Sequence, residues 1–236
     1  MEKVTREEAG KPPVFHAPGT ASRSARECFY RLAALAVLLA SIPVLAVAAL
    51  AVLLDDGLPV LYRQNRVGRR NRLFQLLKFR SMRNGVSGPA ITAASDTRIT
   101  RTGAILRKYK LDELPQLWNV VRGDMSLVGP RPEVPRYVDY EDRRWQEVLE
   151  DSPGLTDLAT LVYRNEEEVL AGVANPETYY REVLLPDKLQ LNLCYRRNRT
   201  LRSDLKLILA TVRYSFLPAG FDATLLRKTL LEELGE

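Results

Sequence analysis

Between Leu32 and Leu54 the chain runs for 23 residues without a charge, LAALAVLLASIPVLAVAALAVLL. About 20 helical residues suffice to cross the hydrocarbon of a bilayer, so the stretch is a membrane candidate. It is too long and starts too late for a signal peptide. Asp55-Asp56 follow it where a small-residue cleavage site would stand. The rest of the chain is polar enough for a folded domain in water, which excludes a polytopic membrane protein.

The flanks say how this segment meets a bilayer. Arg23, Arg26 and Arg31 precede it, and Arg63, Arg66, Arg69, Arg70 and Arg72 follow. Basic ends mark the cytoplasmic side, and here both ends are basic. Pro43 lacks the N–H that would bond the Leu39 carbonyl, so the helix should bend there. The Ser41 hydroxyl is expected to compensate by reaching back to the Val37 carbonyl. A helix broken at Ser41 and Pro43 with two basic ends predicts a re-entrant hairpin dipping into one leaflet. The alternative is an ordinary kinked span. Each arginine near an anionic leaflet adds on the order of 1 kcal/mol of attraction.

The 236 residues suit one domain with an appendage. Lys and Arg total 35 against 29 Asp and Glu, a net charge of +6. One histidine, His16, lies in a Pro/Gly-rich N-terminal stretch, which argues against His-based triads, metal sites and general bases. Cys28 and Cys194 have no zinc or disulfide spacing. Carboxylates and cations are left to carry any chemistry, with or without a metal.

The pattern predicts a mainly α chain with a short β-hairpin. A re-entrant helix–break–helix over 22–57 precedes a compact cytoplasmic α/β domain over 58–217 with interfacial amphipathic helices. Residues 1–21 form a disordered segment and 218–236 a C-terminal tail or helix. Within the domain, Val60–Gln64 and Leu73–Phe79 pattern as strands, and 84–95 as a loop. Asp96 is expected to cap a helix to about Lys108. Leu111, Leu114, Leu117, Trp118 and Val121 recur at helical spacing. Gly123–Pro135 patterns as a loop, and helices follow near 139–150, 165–171, 176–185, 187–199 and 203–217. The last gathers Leu205, Ile208, Leu209, Val212 and Phe216 on one face, for core packing or for the plane of a bilayer.

No nucleotide-binding glycine loop, zinc-protease helix or nucleophile elbow occurs. What stands out is RKYKLDELPQLWN, starting at Arg107, followed by GDMSLVGPRPE from Gly123. Asp112 and Glu113 are adjacent carboxylates at a helix start among Arg107, Lys108 and Lys110, and both are expected to stay ionised. An ionised carboxylate can act as a nucleophile or bind a hard cation. Arg131, between two prolines, is a guanidinium on a stiff loop, suited to bidentate phosphate contact. Taken alone, Asp112 could equally cap a helix, Glu113 complement its dipole and GPRP serve as a connector. The residues leave the two readings level.

The string LLKFRSM at 76–82 and LDELPQLWNVVRGDMSLVGPRPE at 111–133 strongly resemble the monotopic phosphoglycosyl transferases, the bacterial sugar transferase family. The resemblance runs from about Glu27 to Phe216. It implies a re-entrant membrane helix, a cytoplasm-facing active site at the bacterial inner membrane and Mg²⁺ dependence. The implied partners are a UDP-sugar, polyprenyl phosphate and membrane lipid. Asp112 would attack the β-phosphate of the UDP-sugar, releasing UMP and leaving a phosphosugar-enzyme from which polyprenyl phosphate takes the phosphosugar. Glu113 would assist as metal ligand, with Asp112, or in proton handling. Lys78, Arg107, Asp124, Pro130, Arg131 and Pro132 fall on family motif positions for phosphate binding or site structure. Two departures stand out. Ser41-Ile42-Pro43 replaces an adjacent Ser-Pro, and Asp157-Leu158-Ala159-Thr160 follows Pro153-Gly154-Leu155-Thr156 where Gly-Trp is frequent. That segment and Arg164-Asn165-Glu166 are placed to bear on sugar choice.

The rival readings are a membrane-tethered scaffold of a glycan-assembly complex, a glycosyltransferase that releases UDP, and a nucleic-acid binder. The last is disfavoured because the basic cluster abuts an apolar segment and lacks interleaved aromatics. The re-entrant topology makes its own prediction. Thiol probes should reach cysteines substituted near residues 20 and 66 from the same side of the membrane, and labelling from opposite sides would establish a true span.

Overall fold

A computed structural model of the chain describes residues 20–83, 96–217, 222, 224–225 and 227–228, with side chains from Ala25 onward. Almost all of the expected N-terminal disordered segment, the 84–95 loop and most of the C-terminal tail lie outside the described residues. The described chain is mostly helical with a short antiparallel hairpin.

The apolar run forms two helices, α1 (Thr20–Ala40) and α2 (Ile42–Asp56), bent by 62° at the break. Among the described residues no single helix is long and apolar enough to cross a membrane, though the bent pair together is. Pro43 falls in the first turn of α2. Its missing N–H has no helical partner to lose there, so it starts a second helix and does not kink one. The expected Ser41 hydroxyl bond is replaced by backbone bonds. Ser41 N–H donates to Val37 O at 2.9 Å, and Ser41 O accepts from Leu45 N–H at 2.8 Å. Only a narrow stripe of the pair faces protein. Ala34 packs on Leu117 and Val120, and Ala48 and Val52 pack on Phe79 and Leu106. The opposite faces are bare, with Val47 70% and Leu54 78% exposed.

The hairpin pairs β1 (Leu61–Val67) with β2 (Leu73–Phe79), from Leu61 opposite Phe79 to Val67 opposite Leu73. The first strand thus runs three residues beyond the expected Gln64. Helix α3 (Arg101–Lys108) is capped by Thr100, whose hydroxyl accepts from Gly103 N–H at 2.9 Å. Asp96 lies too far upstream to cap it and instead binds the Arg98 guanidinium. The single helix expected through 111–121 is two pieces. A tight turn over Leu111–Glu113 follows Lys110 in the left-handed region, and α4 (Gln116–Arg122) starts after Pro115. Pro115 cannot donate backward, so the break falls there.

The expected loop after Gly123 contains a strand, β3 (Ser126–Val128), paired in parallel with β4 (Gly154–Thr156). Three residues are too few to betray themselves by alternation. Then come α5 (Arg143–Val148), α6 (Leu158–Val162), α7 (Glu166–Ala171) and α8 (Pro176–Tyr179). A wide turn over Tyr180–Leu184 leads into α9 (Leu185–Arg197), and α10 (Leu201–Phe216) completes the series. One core gathers Trp145, Leu170, Leu184 and Leu189, and a second gathers Val128, Leu158, Leu191 and Leu207. Helix α10 enters that second core through Leu207, with Ile208 beside it. Most of its predicted apolar face points outward, since Leu205, Leu209, Val212 and Phe216 are all exposed.

Two glycines set the β3–β4 contact. A Cβ on Gly154 would stand 2.2 Å from the Gly129 nitrogen and 2.3 Å from its oxygen. Gly154→Ala should therefore destabilise the fold by about 1–3 kcal/mol through overpacking. Gly172→Ala, whose Cβ meets nothing nearer than 3.5 Å, should be tolerated, and thermal unfolding in detergent micelles separates the two.

Candidate active site

Three segments converge on one group of charges. Strand β2 supplies Lys78, the turn before α4 supplies Asp112 and Glu113, and the segment after β3 supplies Arg131. Asparagine 119 on α4 fixes the strand beside Lys78, since its Oδ1 accepts from Leu77 N–H at 3.0 Å and its Nδ2 donates to Gln75 O at 2.8 Å.

Arg131 is held at both ends. Its backbone N–H donates to Asp157 Oδ2 at 2.5 Å, while the other oxygen of Asp157 accepts from Thr160 N–H to cap α6. Its guanidinium donates to Glu113 from two nitrogens, at 2.7 and 3.3 Å. Burial pushes the Glu113 carboxyl up, but the Arg131 charge and hydrogen bonds outweigh it and hold Glu113 well below the ordinary range. Glu113 in turn raises Arg131.

Asp112 is placed differently. It is 5% exposed, and its Oδ1 is buried without a hydrogen-bond partner among the described residues. Burial first, and the neighbouring Glu113 charge second, raise its carboxyl, against the lowering influence of Lys78, Lys110 and Arg107. The two carboxylates, expected alike to stay ionised, thus differ in surroundings: the charged form is favoured at Glu113 and disfavoured at Asp112. Arg131 settles on Glu113, and Asp112 keeps an oxygen with nothing to receive. Lys78 is pushed down to about 8 by burial and by the Arg66 charge, with Asp112 and Glu113 opposing.

The remaining expected residues divide. Arg107 is in electrostatic reach of Asp112, while its guanidinium pairs with Glu167 and donates to Ser81 Oγ at 3.3 Å. Pro130 lines the adjoining cavity, and Pro132 O accepts from Arg66 Nη1 at 2.9 Å. Asp124 is engaged elsewhere, 3.5 Å from Asn119 Nδ2 and from Arg122 Nε. Residues absent from the expected set are Arg66, Asn119 and Asp157. Asp157 before an apolar run has the pattern of a helix cap, which was the available signal. Asn119 ends the RKYKLDELPQLWN string, but nothing in that string assigns it a role.

A cavity of about 350 Å³ opens on the Glu113–Arg131 side of this group, with Asp112 and Lys78 outside its lining. Glu113, Arg131, Asp157, Arg164 and Lys188 line it, together with Val37 of α1 and Val212 and Phe216 of α10. One chamber thus has walls of charged groups and of apolar side chains from the bare helices. Among the described residues no three His, Cys, Asp or Glu side chains converge as a preformed metal site. Magnesium needs less, since it commonly takes one or two carboxylates and completes its shell with substrate phosphates and water. The unengaged Asp112 oxygen fits that demand, while both Glu113 oxygens are taken by Arg131.

The raised Asp112 carboxyl has a consequence for stability. A carboxyl whose folded value lies above its unfolded one stabilises the fold at low pH, and that contribution is lost as pH rises through the folded value. Ionising Asp112 within the fold therefore costs stability. Asp112→Asn should unfold at a higher temperature than the native protein at pH 7, with the difference closing as pH falls through the raised Asp112 value and gone below about pH 4. Thermal unfolding across that range checks it.

Comparison with known proteins places these residues in a family. The bacterial sugar transferase model matches residues 21–217. A UDP-glucose:undecaprenyl-phosphate glucose-1-phosphate transferase of Caulobacter vibrioides is 40% identical over 175 residues, 72% of this chain and 61% of that one. A UDP-N-acetylgalactosamine-undecaprenyl-phosphate N-acetylgalactosaminephosphotransferase of Aeromonas hydrophila is 46% identical over 103 residues, 43% of this chain and 24% of its own. A galactosyl transferase of Streptococcus agalactiae is 36% identical over 182 residues, 70% of this chain and 36% of its own. The chain thus spans under two thirds of each of these curated relatives. The family match covers both the bent helix pair and the convergent charges, and the chain belongs to the bacterial sugar transferase family.

Proposed function

We propose that the protein is a membrane-associated phosphoglycosyl transferase, moving a sugar-1-phosphate from a UDP-sugar to polyprenyl phosphate. The observation that carries this reading is the divided carboxylate pair. Glu113 is neutralised by Arg131, while Asp112 beside it keeps a buried oxygen without a partner. Names of the relatives support the general reaction, and they differ in the sugar they mention. For this chain the proposed donor is accordingly the class, a UDP-sugar.

In the proposed first step an Asp112 carboxylate oxygen bonds to the β-phosphorus. The bond from that phosphorus to the bridging oxygen breaks, and UMP leaves with the bridging oxygen and its electron pair. The chain then carries a phosphosugar on Asp112. In the second step a phosphate oxygen of the polyprenyl phosphate attacks the same phosphorus, and the Asp112 carboxylate is restored. Arg131 and Lys78 supply positive charge where the phosphates would lie, so that two anions can meet. Glu113 holds Arg131 in place. Bound Mg²⁺, held by Asp112 and the donor phosphates, would offset the charge of the diphosphate.

The bent pair α1–α2 enters one leaflet of the bacterial inner membrane as a re-entrant hairpin in this reading, with both ends cytoplasmic. The exposed apolar face of α10 lies at the interface. The mixed cavity supports this arrangement, because its charged wall suits a nucleotide-sugar and its apolar wall a prenyl chain. A scaffold without activity leaves the buried, unpartnered oxygen of Asp112 unexplained, since such a group costs stability.

The test is covalent. The protein is incubated with UDP-glucose, UDP-galactose or UDP-N-acetylgalactosamine and Mg²⁺, without lipid. At least one donor should add one sugar phosphate to the intact mass and release UMP in equal amount. Asp112→Asn should fold, form no adduct and lose turnover. UDP as the product, or an Asp112→Asn protein with near-native turnover, would overturn the reading.

A further inference from the structure

Asp204, in the first turn of α10, is 1% exposed and lies outside the charge group just described. It collects donors from three parts of the chain. Tyr30 Oη of α1 donates to Oδ2 at 2.5 Å, and Tyr195 Oη of α9 donates to Oδ1. The Arg199 guanidinium donates to both oxygens, at 2.9 to 3.1 Å. Arg26 of α1 stands 3.9 Å away. A buried carboxylate so fully paired fixes the elements that contribute to it, here α1 and the start of α10.

Arg199 carries the connection further. The same Nη2 that binds Asp204 also donates to Val128 O at 2.9 Å. Val128 ends β3, and Gly129-Pro130-Arg131 follow. Gly129 N–H donates to Thr156 O at 3.0 Å, Gly154 N–H to Pro130 O at 3.0 Å, and Arg131 N–H to Asp157. An unbroken series of hydrogen bonds thus runs from Tyr30 through Asp204 and Arg199 to the strand that presents Arg131. Arg131 itself touches none of the first three residues.

We propose that Asp204, with Tyr30 and Arg199, is a positioning residue that makes the placement of Arg131 depend on α1 being seated. The proposal rests on the reading of Asp112, Glu113 and Arg131 as the reacting centre. Withdrawal of α1 from the domain takes away the Tyr30 hydroxyl and Arg26. The Asp204–Arg199 pair then keeps Tyr195 but loses its donors from α1, and the Arg199 anchor on the end of β3 is held less firmly. A chain whose apolar helices are not yet docked would accordingly hold Arg131 poorly, and would be a poor catalyst in water.

Two measurements on the full chain in phospholipid nanodiscs decide this. Tyr30→Phe keeps the ring and removes the hydroxyl, and Arg199→Lys keeps the charge but cannot span Asp204 and Val128 O together. Hydrogen exchange at the Gly129 and Arg131 amides should quicken about tenfold in both variants, the scale of one charge-assisted hydrogen bond, with the β1–β2 hairpin unchanged. Unchanged exchange at those amides, or equal quickening everywhere, would overturn the proposal. In turnover, Tyr30→Phe should cost about tenfold with Arg131 present and less than about twofold in an Arg131→Lys background. Equal costs in the two backgrounds would make Tyr30 merely structural. Should the native chain transfer no phosphosugar at all, the proposed reaction fails, while the exchange result still decides the coupling.

Discussion

The pairing of Glu113 with Arg131 is the interaction on which the site depends. Two adjacent buried carboxylates repel one another, and one guanidinium cannot serve both equally. Arg131 approaches Glu113 with two nitrogens, so the charge of that residue is settled and Asp112 is left to carry the strain. The two side chains differ by one methylene, yet their surroundings push their carboxyls in opposite directions. Separation of that kind is how neighbouring acids come to hold distinct roles.

The fold exists around that pair in a concrete sense. The turn over Leu111–Glu113 is set by left-handed Lys110 and by Pro115. Arg131 is set by the close approach of Gly129 and Gly154 and by the Asp157 carboxylate. Asn119 ties the back of β2 to α4, which brings Lys78 to the same place. Each of these is a backbone or buried polar constraint. The apolar cores keep the elements together, but the polar ties fix where the charges stand.

How much of this was legible in the sequence depends on the kind of interaction. The apolar run, its break at Ser41 and Pro43, the hairpin and most helices were legible, because each is written in local periodicity or in a breaker residue. The importance of the Asp112, Glu113 and Arg131 region was legible through motif resemblance, since composition alone left it level with a helix cap and a connector. The parallel pairing of β3 with β4 was not legible, because it joins two three-residue segments far apart in the chain. Nor was the split between the carboxylates, which depends on where Arg131 folds back to. Asp157 stood out as a departure from the family pattern. Its place beneath the Arg131 backbone gives that departure a physical role.

The mixed lining of the cavity has a consequence for traffic. On the proposed reaction one substrate and one product are water-soluble, while the other substrate and product never leave the lipid. A chamber walled on one part by Arg131, Lys188 and Arg164 and on another by Val37, Val212 and Phe216 offers each class a surface of its own kind. The two half-reactions then share a single phosphorus-binding spot while each reactant lies against the wall that matches it. An enzyme so built would sort its cargo by solubility, at the boundary between two solvents.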